Sequence, residues 1–161
     1  MIAFRAFPGT PLEGVLRYSR SDMGFSFESV NLPDLAVRTG DQGKSSLVID
    51  SLQLEVGVET GEVLYVWGYC PDSSWLPAVL EQPAYSAARI AADVDPPLEE
   101  SISVLLSRSF WKIQFDRESG WILISSSEKA DESVSEIAEG ILLGLVEAKI
   151  NSIWLRPRFE D

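Results

Sequence analysis

The sequence contains no histidine and a single cysteine among its 161 residues. Histidine is the side chain whose ordinary pKa lies nearest neutrality, and it is the commonest general base and metal ligand in enzymes. Its absence argues against histidine-dependent triads, zinc sites and most acid–base catalysts. The lone Cys70 cannot form a disulfide within the chain, so nothing indicates an oxidising compartment. We expect a cytoplasmic protein that holds no metal and no cofactor.

Long apolar runs are also missing. The longest, at residues 141–146, is far shorter than the roughly 18 residues that cross a bilayer. The apolar start of the chain is interrupted by Arg5 and ended by Pro8, which leaves too little for the core of a signal peptide. The length and the 45% content of hydrophobic residues predict a soluble protein with a single globular domain over residues 1–161, in which no internal repeat is evident.

Positive charge is scarce, and the shortage is greatest in the middle of the chain. The whole sequence has 25 acidic and 13 basic residues, a net charge of −12. Residues 51–100 contain nine acids against one base, Arg89, which gives −8 for this segment alone. Such a field repels nucleic acids and anionic membranes and attracts a basic protein partner. The alternative is that the charge serves solubility only.

Alternation of apolar and polar residues predicts β-hairpins. The most regular hairpin pairs residues 52–58 with residues 63–69 across a turn at 60–61. A second hairpin joins residues 110–116 to 121–125 through a glycine-containing turn. A less regular pair of strands is predicted at residues 14–18 and 25–28.

Other segments have apolar residues at helical spacing. Short helices are predicted at residues 83–92 and from Asp95 to about residue 106. The longest such pattern, from Asp131 to Lys149, predicts a C-terminal helix whose apolar stripe is Val134, Ile137, Ala138, Ile141, Leu142 and Leu145. Hairpins joined by helices, without a regular β–α–β alternation, predict an α+β fold. In that fold a mainly antiparallel sheet has the long helix, at about 131–149, packed on one face.

Three patterns that suggest ligand binding or catalysis lack the context that such sites need. Residues 40–45 include Gly-Lys-Ser, but a phosphate-binding loop has another glycine five residues earlier, where this chain has Arg38, and it is followed by a helix, where this chain has a predicted strand. Cys70 has no basic neighbour in sequence that would activate a thiolate. The acidic residues within 93–95 and 99–100 adjoin prolines and lack the glycine turn of a calcium loop. We interpret all three as structural or surface features.

An aromatic row inside the acidic segment is the best candidate for a binding surface. Tyr65, Trp67 and Tyr69 alternate along one predicted strand and share one face. Large aromatic side chains with acids around them are typical of protein interfaces. The alternative is that the row packs into the core beneath a helix. The candidate partner-binding residues are Glu55, Glu59, Glu62, Tyr65, Trp67, Tyr69, Asp72 and Trp75.

A small, acidic α+β domain without histidine resembles the bacterial toxin-immunity proteins, many of which are acidic inhibitors of basic nucleases. The resemblance covers size, charge and architecture. It implies a non-catalytic protein-binding or inhibitor protein whose partner is a basic protein such as a toxin domain. Two alternatives stay open: an enzyme that uses carboxylates alone, and a subunit or scaffold domain of a protein assembly.

Overall fold

The chain folds mainly into β-strands. The computed structural model describes residues 1–107, 111–126 and 131–161. Within these ranges the helical elements are α1 (Leu32–Thr39) and a 3-10 turn at Asp72–Ser74, and neither is long and apolar enough to cross a membrane. The strands in chain order are β1 (Ile2–Phe7), β2 (Gly14–Ser19), β3 (Gly24–Ser29), β4 (Lys44–Ile49), β5 (Leu52–Gly57), β6 (Val63–Tyr69), β7 (Leu76–Pro77), β8 (Ser86–Ala87), β9 (Arg89–Val94), β10 (Val104–Ser107), β11 (Lys112–Phe115), β12 (Ile122–Ser125), β13 (Ser133–Ala138), β14 (Ile141–Val146), β15 (Lys149–Leu155) and β16 (Arg158–Glu160).

The first sheet has the strand order β10-β4-β5-β6-β3-β2-β16. Neighbours from β4 to β2 pair antiparallel, whereas the edge strands β10 and β16 pair parallel to their neighbours. The predicted hairpin of residues 52–58 and 63–69 is confirmed as β5–β6. Gly61 has a φ of 73°, which the turn between these strands needs and which glycine adopts without strain. The predicted pair at residues 14–18 and 25–28 is confirmed as β2–β3.

The second sheet has the order β7-β11-β12-β15-β14-β13-β8. Its hairpin β11–β12 confirms the prediction at residues 110–116 and 121–125, except that Phe110 lies outside the described residues. The long strand β15 lies between β12 and β14 and pairs antiparallel with both.

The inner faces of the two sheets share one apolar core. Alternate residues of β5 and of β14 point into it, as period-two burial requires. The strand pair β1–β9 runs along one end of this core and is bonded to both sheets. Phe4 donates its backbone N–H to the carbonyl of Ala148 in the β14–β15 turn (2.9 Å), and Ala92 donates to the carbonyl of Gly61 in the β5–β6 turn (2.7 Å). Central core residues are Leu47, Leu54, Val56, Val66, Ile122, Ile141, Leu143, Ile153 and Leu155.

The two sheets are built on one plan, so the chain contains a structural repeat that the sequence did not indicate. The series β4-β5-β6-β3-β2 in the first sheet corresponds to β13-β14-β15-β12-β11 in the second. Gln53 pairs with Trp67 in the first sheet, and Leu142 pairs with Trp154 at the same place in the second. Both hairpins also shift register at corresponding residues, directly after Glu55 and directly after Gly144. The backbone pairing therefore repeats although few side chains do.

Each repeat supplies an edge strand to the sheet of the other. β7 follows β6 along the chain but pairs with β11, and β16 follows β15 but pairs with β2. The two pairings are equivalent, since Gln114 pairs with Leu76 where Arg17 pairs with Arg158. Neither sheet is complete without residues from both halves of the chain.

The outer face of the second sheet is covered by a strap, residues 78–85. This segment joins β7 to β8, which are the opposite edges of the sheet. The two edges are six strand spacings apart, which is about 29 Å. The chain from residue 77 to residue 86 spans about 30 Å when fully extended. The strap must therefore run nearly straight across the sheet. Leu80 of the strap packs on a cluster formed by Trp121, Val134, Leu142 and Trp154.

Asp116 fastens the strap to the sheet. Its carboxylate accepts a hydrogen bond from the backbone N–H of Leu80 (3.0 Å), and also from Glu118 (3.0 Å) and Ser119 (3.3 Å). These donors favour the ionised form and hold the pKa of Asp116 below its ordinary value, the bond from Leu80 most of all.

The predicted α+β fold with a long C-terminal helix at about 131–149 is wrong. These residues form β13, a tight turn at Gly140 (φ 80°) and β14. Strand β14 is buried on both faces, by the core on one side and by the strap cluster on the other. A strand of this kind has a continuous apolar run, which spacing alone does not distinguish from a buried helix. The segments predicted as shorter helices contain β8, β9 and β10 instead.

The fold predicts that a charge at Ile141 destabilises the protein strongly. Ile141 is 0% exposed in the centre of the core, and its replacement by aspartate buries a carboxylate without a partner. We expect Ile141→Asp to lower the free energy of unfolding by about 4 kcal/mol in urea denaturation. The matched control is Val79→Asp at a residue 95% exposed, which should change it by less than about 0.5 kcal/mol. Equal losses in the two variants would contradict this core.

Candidate functional site

The candidate site lies on the outer face of β5–β6 in the first sheet. Residues of β5 alternate between the core and this face, so Glu55 points outward together with its cross-strand neighbour Tyr65. The Tyr65 hydroxyl donates to Oε2 of Glu55 (3.4 Å), and Nε1 of Trp67 donates to Oε1 (3.2 Å). One carboxylate therefore orients two aromatic side chains, all three of which are partly exposed.

A polar cleft of about 420 Å³ opens beside this trio. One wall is the outer face of β4 and β5. The opposite wall is the chain segment 99–103, which is fastened to β4 by the backbone N–H of Ser101 donating to the carbonyl of Lys44 (2.9 Å) and by the Ser45 hydroxyl donating to the carbonyl of Ile102 (2.6 Å). The side chains around the cleft include Lys44, Ser46, Gln53, Glu55, Trp67, Glu100 and Ser103.

Hydrogen bonds inside the cleft fix its floor. Ser46 donates to Oε1 of Gln53 (2.7 Å) and also lies 2.8 Å from the hydroxyl of Ser103. Because these side chains satisfy each other, their positions are set before anything binds. The charges at the rim are those of Glu55, Glu100 and Lys44.

Tyr65 is the titratable side chain that this environment perturbs most. Burial raises its pKa to about 12, and the neighbouring charge and hydrogen bond of Glu55 act in the same direction. The Tyr65 ring stacks on Phe27 at 5.3 Å between centroids. The ammonium group of Lys44, on β4, lies 6.0 Å from the centroid of the Tyr65 ring. Tyr65 therefore acts as a fixed, neutral part of the surface.

The corresponding face of the second sheet is closed by the protein itself. Trp154 occupies the register position of Trp67, but it is buried beneath the strap that carries Leu80. Gly144 stands where the first sheet has Glu55, and the Glu132 carboxylate reaches the same place from the preceding loop, where it accepts a hydrogen bond from Ser152. Two of the covered positions, Val134 and Leu142, are apolar where the first sheet has Ser46 and Gln53.

Glu62 lies in the interior and not on the predicted binding surface. It is 3% exposed and accepts a bidentate contact from the guanidinium of Arg89. Arg38 of α1 lies 3.5 Å from the same carboxylate and 3.0 Å from Asp34. This cluster joins α1, β9 and the start of β6, so Glu62 stabilises the fold.

Trp75 also lies away from the surface. Its ring packs on Tyr18 (4.7 Å), Phe115 (5.4 Å) and Phe25 (6.2 Å), and it contributes to the core between the sheets. Trp75 lies in the segment between β6 and β7 that crosses from one sheet to the other, which is why it turns inward.

The remaining predicted residues are on the surface but spread out. Glu59 is exposed at the β5–β6 turn and accepts a hydrogen bond from the backbone of Asp41 (2.6 Å). Tyr69 is 49% exposed at the far end of β6, and Asp72 pairs with Arg20 at 3.2 Å. The structure thus brings Glu55, Tyr65 and Trp67 together. Glu59, Tyr69 and Asp72 lie outside the cleft.

Sequence reasoning missed the polar side of the cleft. The sequence pattern favours a surface loop for Lys44 and a surface position for Glu100, and both line the cleft. The signal that was present in the sequence is the alternation that places Gln53 and Glu55 on the polar face of β5. The wall formed by segment 99–103 depends on the parallel pairing of β10 with β4, which sequence spacing does not encode.

Cys70 and the larger cleft of the structure show no comparable convergence of groups. Cys70 is buried, and burial raises the pKa of its thiol. A cleft of about 760 Å³ beside β1 and β10 is larger but mostly apolar. Within the described ranges no three cysteine, aspartate or glutamate side chains converge as metal ligands would. We therefore assign the candidate site to the polar cleft.

Comparison of the chain with protein-family models, with curated proteins and with solved structures finds no match.

The buried cluster predicts that Glu62 is needed for stability. Glu62→Gln removes the charge that compensates Arg38 and Arg89, and we expect the free energy of unfolding to fall by about 3 kcal/mol. Glu59→Gln at the adjacent exposed turn is the control and should cost less than about 1 kcal/mol. Urea denaturation of both variants measures the difference. Two equally small losses would show that Glu62 is solvated.

The trio predicts a specific change in tyrosine titration. The titration step of Tyr65 is identified as the one that is lost from the ultraviolet absorbance titration in Tyr65→Phe. In wild type this step should have a pKa of about 12. Glu55→Gln removes the negative charge that opposes phenolate formation, so this step should move to lower pH. Glu59→Gln, which lacks contact with Tyr65, serves as the control. A Tyr65 step that is unchanged in Glu55→Gln would rule out the contact.

Proposed function

We propose that the protein is a non-catalytic binding or inhibitor protein that recognises a basic protein partner, such as a toxin domain, through the outer face of the first sheet. The observation that carries the proposal is the trio of Glu55, Tyr65 and Trp67. Two aromatic side chains held in place by a carboxylate give a preorganised contact surface, and preorganisation lowers the entropic cost of association. Aromatic anchors of this kind dominate the energetics of protein interfaces.

The distribution of charge supports a basic partner. The chain has a net charge of −12, and several of its arginines are already paired with acids. Arg17 pairs with Glu28 (2.9 Å) and Arg20 with Asp72 (3.2 Å). The carboxylates at and near the cleft, Glu55, Glu59 and Glu100, are outside these ion pairs with arginine. A negative field of this kind accelerates encounter with a positively charged protein.

The difference between the two repeats supports recognition at this face. In the second sheet the strap covers the outer face. The edge strands of the first sheet, β10 and β16, are not consecutive in the chain, so no single segment joins them as the strap joins β7 and β8. A partner that docks on the first sheet would cover Trp67 as the strap covers Trp154.

The experiment uses the purified protein as immobilised bait in a lysate of its native host at low ionic strength. Wild type should retain a basic protein that Trp67→Ala does not retain. Tyr85→Ala, which removes another exposed aromatic ring from the strap region of the second sheet, should retain it as wild type does. The retained protein is then purified, and its association rate is measured by stopped flow over a range of ionic strengths.

The double variant Glu55→Gln and Glu59→Gln tests the role of charge. We expect slower association at low salt and a shallower dependence on ionic strength, with a smaller change in dissociation. The double variant Glu118→Gln and Glu139→Gln, on the second repeat, controls for net charge alone. Superimposable curves for wild type and the Glu55/Glu59 variant would remove this surface from the interface.

A further inference from the structure

We infer that the polar cleft beside Trp67 receives an arginine side chain of the partner. This inference rests on the proposed function and adds the chemistry by which the partner is recognised. The cleft holds two carboxylates, Glu55 and Glu100, against one ammonium group, Lys44, so its walls carry an excess of one negative charge. A single incoming cation neutralises that excess.

The hydrogen-bond acceptors match a guanidinium group. Each carboxylate oxygen of Glu55 accepts one bond, from Tyr65 or from Trp67, and each has capacity for a second. Glu100 supplies a further carboxylate from the opposite wall. A guanidinium group presents five N–H donors in a planar fork and can therefore bond to two walls at once, which a compact ammonium group does less well.

Trp67 supplies the apolar part of the pocket. Its indole lines the cleft, and its orientation is fixed by the bond from Nε1 to Glu55 (3.2 Å). A guanidinium plane stacks favourably on a tryptophan face, while the methylene stem of an arginine packs against apolar surface. The Lys44 ammonium does not occupy this place, because it lies over the ring of Tyr65 at 6.0 Å.

The second repeat shows a side chain in the equivalent position. There Leu80 packs on the cluster that contains Trp154, and the residues around it are Val134 and Leu142. The corresponding residues of the first sheet are Ser46 and Gln53, with Glu55 in place of Gly144. The same fold position that takes a leucine between apolar residues is thus lined by polar and acidic residues beside Trp67. The ligand side chain that fits these surroundings is long, partly apolar and cationic.

The test uses N-acetyl-arginine amide as the probe, with N-acetyl-lysine amide and the uncharged N-acetyl-citrulline amide for comparison. The reporter is the indole N–H signal of Trp67 in nitrogen-15 NMR, assigned with Trp67→Phe. We expect the arginine probe to shift this signal with a dissociation constant on the order of 1 mM, the citrulline probe to leave it unchanged, and the lysine probe to bind more weakly.

Charge-removing variants locate the binding. Glu55→Gln and Glu100→Gln should each weaken the arginine probe about tenfold. Glu100 is exposed and outside the trio, so its replacement tests the pocket without disturbing the orientation of Trp67. Glu118→Gln, at an exposed turn of the second sheet, is the matched control and should bind the probe as wild type does.

Two results would overturn the inference. Equal shifts with the arginine and citrulline probes would show that charge is not recognised, and equal affinities in wild type and Glu100→Gln would show that the cleft is not the site. If the arginine probe fails while capture of a basic protein still depends on Trp67, the arginine pocket is wrong and the proposed function stands. If the probe binds as expected and no basic protein is captured, the proposed function fails instead.

Discussion

Burial of the second sheet on both faces is the constraint on which the rest of the structure depends. Its inner face packs into the shared core, and its outer face packs under the strap through Leu80. The strap is fixed at both ends, by the pairing of β7 with β11 and of β8 with β13, and in between by Asp116. Because β7 belongs to the first repeat, covering this sheet also joins the two halves of the chain. Residues 141–146 are stabilised in this sheet because apolar side chains on both faces of β14 are removed from water.

The first sheet has the same strand order, but its outer face is partly exposed. Within the described ranges no segment spans its outer face as the strap spans the second sheet, and the positions that are Leu142 and Val134 in the second sheet are Gln53 and Ser46 here. Gln53 is partly exposed, so a polar residue there avoids exposing apolar surface to water. Ser46 is buried, and its hydroxyl bonds to Gln53 and Ser103. Trp67 is the exception, since tryptophan stands at this position in both repeats. Its indole N–H is satisfied by Glu55, so the ring stays in a defined position on an open surface.

The buried cluster of Arg38, Glu62 and Arg89 holds the hairpin that carries the site. It connects α1 and β9 to the start of β6, and Tyr65 and Trp67 follow on the same strand. A buried carboxylate between two guanidinium groups is strongly destabilising when one partner is lost, so the cluster fixes the relative positions of these elements. The acidic segment of the sequence thus has two physical roles: Glu62 balances arginines inside the fold, and Glu55 orients aromatic side chains outside it.

The sequence by itself determined the local hairpins, the polar face of β5 that carries Glu55, and the alternation that puts Tyr65 and Trp67 on one face of β6, because period-two alternation and turn residues act over a few neighbouring residues. Only the structure decided that this aromatic face points outward, since an aromatic row on one face of a strand is equally compatible with packing into the core. The sequence also determined the negative charge, which is a property of composition. Only the tertiary structure decided that residues 131–149 are strands, because an apolar run buried on both faces has no period that reports its conformation. The interior location of Glu62 and Trp75 depends on contacts with α1, β9 and the other sheet. The cleft has the same origin, since its walls come from β4, β5 and segment 99–103, which pairing distant in sequence brings together.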